Sequence, residues 1–163
     1  MTTSFAVRPF RNVLFLVLAI ALLTTSCKKS GGTDGVDPRD QYVGTYVGGF
    51  QTSFTVGGVE SAPESGTATI TITKGSNAKE IYIETTVPRP TALKVTAQLD
   101  ASGKAFTVID RTQDQMAVLN KTFTGDFTAT GVFDSNQIAI TTTTETVQGG
   151  RISRYESITG TKK

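Results

Sequence analysis

From Tyr42 onward, threonines and β-branched residues alternate with apolar ones at every second position, and this period of two limits the fold more than any other feature. Thr67-Ala68-Thr69-Ile70-Thr71-Ile72-Thr73 sets Ala68, Ile70 and Ile72 on one face and threonines on the other. Ile81, Ile83 and Val87 do the same against Tyr82, Glu84 and Thr86. The alternation recurs through Leu93, Val95, Ala97 and Leu99, then Phe106 and Val108, then Phe127, Ala129 and Phe133, then Ile138 and Ile140. Strands with one apolar face belong in antiparallel sheets, which can leave the other face in water.

Turn residues fall between these runs, at Lys74-Gly75-Ser76-Asn77, Asp100-Ala101-Ser102-Gly103, Asp134-Ser135-Asn136 and Gln148-Gly149-Gly150, so neighbouring strands are expected to join as hairpins. Pro88-Arg89-Pro90 withholds two amide donors and is expected to bend the chain between strands. Residues 110–119 are the only candidate for a helical turn. Ile152, Tyr155 and Ile158 are three apart, which a β-bulge would reconcile with a strand over residues 151–160. The count is about eight strands in a meander, and a sheet of that size hides its edges by closing or by folding into two layers. The expectation is an all-β domain, a small antiparallel barrel, with an immunoglobulin-like sandwich as the alternative.

The first forty residues have a different character. Arg8 and Arg11 precede an apolar run over residues 13–23 (VLFLVLAIALL), and Thr24, Thr25 and Ser26 lead to Cys27, the single cysteine. Such a run crosses only about half of a ~30 Å hydrocarbon core, so the segment reads as a secretory signal peptide rather than a membrane span. Leu22-Leu23-Thr24-Thr25-Ser26-Cys27 resembles the lipobox of bacterial lipoproteins, with Leu23 four residues before the cysteine as in the Bacteroidetes. The resemblance implies diacylglyceryl transfer to the Cys27 thiol, cleavage before it and acylation of the new amino group. Two acyl chains, on the order of ten kcal/mol each, would hold the protein stably on a membrane. The implied organisation is a leader over residues 1–26 that is removed, an acylated cysteine and flexible tether over residues 27–40, and a barrel domain over residues 41–163. Lys28, the second residue of the cleaved chain, stands where an inner-membrane retention signal would place Asp, so the expected location is the outer membrane, on its periplasmic face or the cell surface.

The domain opens with Tyr42-Val43-Gly44-Thr45-Tyr46-Val47-Gly48-Gly49-Phe50, which resembles the Gly-x-Trp opening strand of lipocalins, with Tyr46 in place of the tryptophan. With the lipobox and the meander, the chain is similar to the lipocalin-like or calycin-like lipoproteins of the Bacteroidetes. The likeness implies a barrel that binds a small apolar ligand or a protein partner.

Composition narrows the chemistry. Histidine is absent and Cys27 stands alone, so the sequence holds no imidazole base, no zinc site of common type and no internal disulfide. Once the leader arginines are removed, basic and acidic side chains balance, which gives no electrostatic reason to expect nucleic acid. Gly48-Gly49 and Gly57-Gly58 precede no helix and are not phosphate loops, so no cofactor is expected. Asp110, Asp114, Asp126 and Glu84 have no spacing that points to paired catalysis or calcium, and read as solvated charges. The threonine run at residues 141–144 reads as an exposed strand face. Tyr46, Phe50, Phe106, Phe127 and Phe133 are the candidate ligand-binding residues, able either to line a barrel cavity or to fill it. The expected function is therefore a tethered, non-catalytic binding module. The alternatives are a structural envelope lipoprotein with a solid core and, behind it, a carboxylate-dependent hydrolase.

Overall fold

The computed structural model describes residues 36–87 and 93–163, so the leader, Cys27, most of the tether and Pro88-Arg89-Pro90 lie outside the described residues. Within them the alternating runs are strands: β1 Gly44–Val56, β2 Val59–Glu60, β3 Glu64–Lys74, β4 Glu80–Thr86, β5 Leu93–Leu99, β6 Ala105–Val108, β7 Gln113–Val118, β8 Lys121–Asp134, β9 Gln137–Thr146 and β10 Ile152–Lys162. All pairings are antiparallel, and the order β1-β3-β4-β5-β6-β8-β9-β10 returns to its start because β10 pairs with β1. Eight strands thus close a barrel, an architecture compatible with a lipocalin-like fold; β2 and β7 are extra. Closure replaces the sandwich alternative. The seam runs in one unbroken register from Tyr46 opposite Lys162 to Val56 opposite Ile152.

Inward positions follow the expected alternation. Ala68, Ile70 and Ile72 of β3, Ile81 and Ile83 of β4, and Ile138 and Ile140 of β9 are all buried. Each such aliphatic side chain contributes roughly 1.5–3 kcal/mol when removed from water. Gly131 of β8 lets a ring cross the strand closely, since a Cβ there would lie 2.2 Å from Phe106 Cζ.

Two local expectations are corrected. Residues 110–119 form no helical turn; Gln113–Val118 is β7, paired with β8 through a two-residue turn at Leu119 and Asn120, both at positive φ (50° and 63°). The unpaired half of the β8 edge, below β6, favours a strand there over an isolated helical turn. β10 has no bulge, because its pairing with β9 and β1 is continuous. Tyr155 simply faces outward at 51% exposure, and the inward places beside it belong to Arg154 and Glu156. The real irregularity lies between β6 and β7, where residues 108–112 span the stretch that residues 127–129 span on β8.

The compact unit spans Asp37–Lys163. Arg39 donates from Nη1 to the carbonyls of Gly75 (3.0 Å), Asn77 (2.6 Å) and Glu80 (3.0 Å), while its Nη2 meets Asp37 at 2.8 Å. Lys74 adds bridges to Asp37 (3.3 Å) and Asp40 (2.6 Å). Three residues of the expected tether, Asp37, Arg39 and Asp40, are thus tied to the end of β3 and the β3–β4 turn.

Candidate functional site

Four of the five candidate aromatics meet in the main core. Tyr46, Phe50, Phe106 and Phe133 pack with Tyr42 and the isoleucines of β3 and β4. The Tyr42 and Phe133 rings stack at 4.1 Å between centroids, and Phe106 and Tyr46 lie 5.3 and 6.4 Å from Phe133. Tyr46 Oη donates to the Tyr42 carbonyl at 2.9 Å. Desolvation raises the pKa of both tyrosines, so both stay neutral and apolar in character. These rings plug the end of the barrel where the chain enters, rather than lining a chamber.

Phe127 stands apart from that cluster, toward the opposite end. There the inward letters change on several strands: β1 passes from Phe50 to Thr52, β4 from Ile83 to Thr85, β9 from Ile140 to Thr142, and β10 from Ile158 to Glu156. Pairing places Thr52 beside Glu156 and Glu156 beside Thr142, so the change forms a continuous polar patch across β1, β10 and β9. The threonine run is therefore not an exposed face throughout: Thr142 and Thr144 are buried inside, at 3% and 0% exposure.

Beyond this level the barrel interior is only partly filled. A cavity of about 380 Å³ is lined by Phe54, Val87, Leu93 and Phe127 on its apolar side and by Thr85, Thr142, Arg111, Asp114, Arg154 and Glu156 on its polar side. Asp114, expected as a solvated charge, bridges the guanidinium groups of Arg111 and Arg154, and its side chain is only 15% exposed. Arg111 also lies over the Phe127 ring at 5.4 Å.

This cluster stands in for a missing strand. β7 pairs with β8 alone, so its outer edge would leave backbone groups bare. Instead Arg154 Nη1 donates to the Gln115 carbonyl (3.2 Å), Arg111 Nε to the Gln113 carbonyl (3.3 Å), and the Gln115 amide to Asp114 Oδ1 (2.8 Å). Across the gap, the Thr96 amide of β5 donates to Asp110 Oδ2 at 2.7 Å. Arg154 Nη2 also reaches Thr144 Oγ1 at 3.2 Å, whereas its buried Nε has no acceptor. An unmet donor of that kind costs roughly 1–3 kcal/mol.

Of the remaining carboxylates, Asp110 and Glu84 line one surface depression and Asp126 does not. Asp126 is exposed on the outer face, and Glu84 pairs with Lys94 at 3.1 Å on the surface. Among the described residues no group of three or more His, Cys, Asp or Glu side chains can hold a metal ion. No sequence signal marked Arg154 or Glu156, because arginine and glutamate at alternate positions of a strand ordinarily point to water. The one clue was that the apolar residues of β10, Ile152, Tyr155 and Ile158, are three apart rather than two. No family model matches the chain, and no curated protein matches it.

Proposed function

We propose that this chain is a bacterial lipoprotein of lipocalin-like or calycin-like type, acylated at Cys27 and held at the outer membrane, whose barrel is a non-catalytic binding module. The ligand class that suits the cavity is a small amphipathic molecule with an apolar body and a hydrogen-bonding group. The observation that carries this reading is the half-filled interior: aromatic packing at one end, and at the other a cavity of about 380 Å³ with both apolar and polar walls. That volume lies in the range of small-molecule sites. The pairing of Asp114 with two guanidinium groups, and of Glu84 with Lys94, supports binding over hydrolysis, since acid–base work needs a carboxyl free to exchange a proton.

Titration with anilinonaphthalene sulfonate, an amphipathic fluorescent probe, tests the binding claim. The expected result is a saturable rise in emission that weakens several-fold in Phe127→Ala and is unchanged in Tyr82→Ser on the outer surface. A linear, unsaturable response, or a Phe127→Ala response equal to wild type, would favour the structural lipoprotein instead. Mass spectrometry of the native product tests the anchor, with an acylated N-terminal Cys27 expected; an intact leader overturns it.

A further inference from the structure

Four threonines face the interior of the barrel almost fully buried: Thr52, Thr85, Thr142 and Thr144 are exposed at 1, 2, 3 and 0%. Their hydroxyls divide by position. Thr144 Oγ1 accepts from Arg154 Nη2 at 3.2 Å, Thr52 is engaged by another group, and neither lines the cavity. Thr85 of β4 and Thr142 of β9 do line it, four strands apart in the ring of eight, and among the described residues neither hydroxyl has a hydrogen-bond partner. Valine has the same shape and an equal preference for strands, so the fold alone calls for no hydroxyl at either place. Buried polar groups are as a rule hydrogen-bonded. Where the protein supplies no partner, the occupant of the cavity must.

From this division we infer that the cavity selects an uncharged amphiphile whose hydroxyl or carbonyl group hydrogen-bonds Thr85 or Thr142, in preference to a carboxylate with the same apolar body. The inference rests on the binding reading and names its ligand class. A threonine hydroxyl both donates and accepts, so it serves a neutral alcohol as well as a ketone or an amide. Val87 and Leu93 stand beside Thr85, two residues along the chain and across the β4–β5 ladder, and supply apolar contact for the body of such a molecule. The charges of the wall point the same way. Its two guanidinium groups, Arg111 and Arg154, already share Asp114, and Glu64 and Glu156 bring the carboxylates to three against two cations. An anion entering there gives up its hydration without an unshared cation among the described residues to replace it, whereas a neutral group loses far less on leaving water.

The experiment uses the full chain on phosphatidylcholine vesicles and a decan-1-ol carrying a mid-chain diazirine, whose light-induced adducts are located by peptide mass spectrometry. Unlabelled decan-1-ol and decanoate, the latter ionised at pH 9, compete at equal free concentrations. The expected result is a saturable adduct within the strands that line the cavity, suppressed by decan-1-ol and several-fold less by decanoate. In a Thr85→Val, Thr142→Val double variant the adduct falls several-fold while the urea midpoint holds or rises, because no hydrogen bond within the protein is lost. A midpoint that falls gives the hydroxyls a structural role and overturns the inference. Equal competition by decanoate overturns it too, as does unchanged labelling of the double variant, which would leave the hydroxyls serving water alone. The binding reading survives all three of these results. Adducts that grow linearly with probe and answer to neither competitor bring down the binding reading and this inference with it.

Discussion

The plugged end and the hollow end of this barrel are built from the same strands, yet one is closed by stacked rings and the other is held open by charge. At the first, Tyr42, Phe106 and Phe133 fill the section with contacts that need no partner beyond each other. At the second, each inward polar group requires an answering donor or acceptor, and Asp114 serves two guanidinium groups at once. An eight-stranded barrel is just wide enough either to pack or to hold a ligand. Here the choice is made separately for each half, by the residue that each strand places inward at that level.

Truncating the plug should break this contrast most severely. Phe133→Ala is expected to cost about 3–5 kcal/mol, read as a fall in the denaturant midpoint, because the space left among three rings cannot collapse. If Phe127→Ala, facing the cavity, cost as much, the two ends would not differ as described. Asp114→Ala should cost less, about 1–3 kcal/mol, since it strands two guanidinium groups that keep partial access to water. Urea unfolding of that variant would sharpen the comparison further if the loss were relieved in a triple variant that also carries Arg111→Met and Arg154→Met.

The smallest effect concerns the clamp. Hydrogen bonds from Arg39, foremost that from its side chain, and from Lys74 hold the Asp37 carboxyl well below the usual carboxylate range. A depressed native pKa means that the carboxylate's stabilisation is complete above the ordinary value of about 3.9 and is lost only as the pH falls through the lower native one. Asp37→Asn should accordingly lower thermal stability by the same amount at pH 7 and pH 5, with the difference from wild type shrinking only in strong acid. A difference already changing between those two values would show that the bridge does not form in solution.

Much of the fold was legible because period two is a direct print of the pleat. Ile70, Ile72, Ile81, Ile83, Ile138 and Ile140 face the interior as the alternation requires, and the turns fall at the expected glycines, asparagines and serines. The failures share one cause, which is that hydrophobicity was the only signal for inside. β7 offers only Met116, Ala117 and Val118 as apolar residues and pairs on one edge, so it left little pattern. β10 does alternate, but its inward residues include Arg154 and Glu156, whose burial makes sense only when β7 and Thr144 are brought alongside. Asp37 and Arg39 looked like spacer because their partners, the carbonyls of Gly75, Asn77 and Glu80, are backbone atoms that no side-chain pattern reveals. Of the candidate site, Phe127 was named for the right reason, while the polar wall around it was not visible.

The pairing of β10 with β1 has a kinetic consequence. Tyr46 and Lys162 meet across nearly the whole domain sequence, so this ladder must pay the largest loop-closure entropy in the molecule before it returns any contact energy. While β10 is undocked, β1 and β9 both present bare hydrogen-bonding edges. Folding should therefore be slow for a chain of this size, and its vulnerable intermediate is an open sheet prone to join its neighbours.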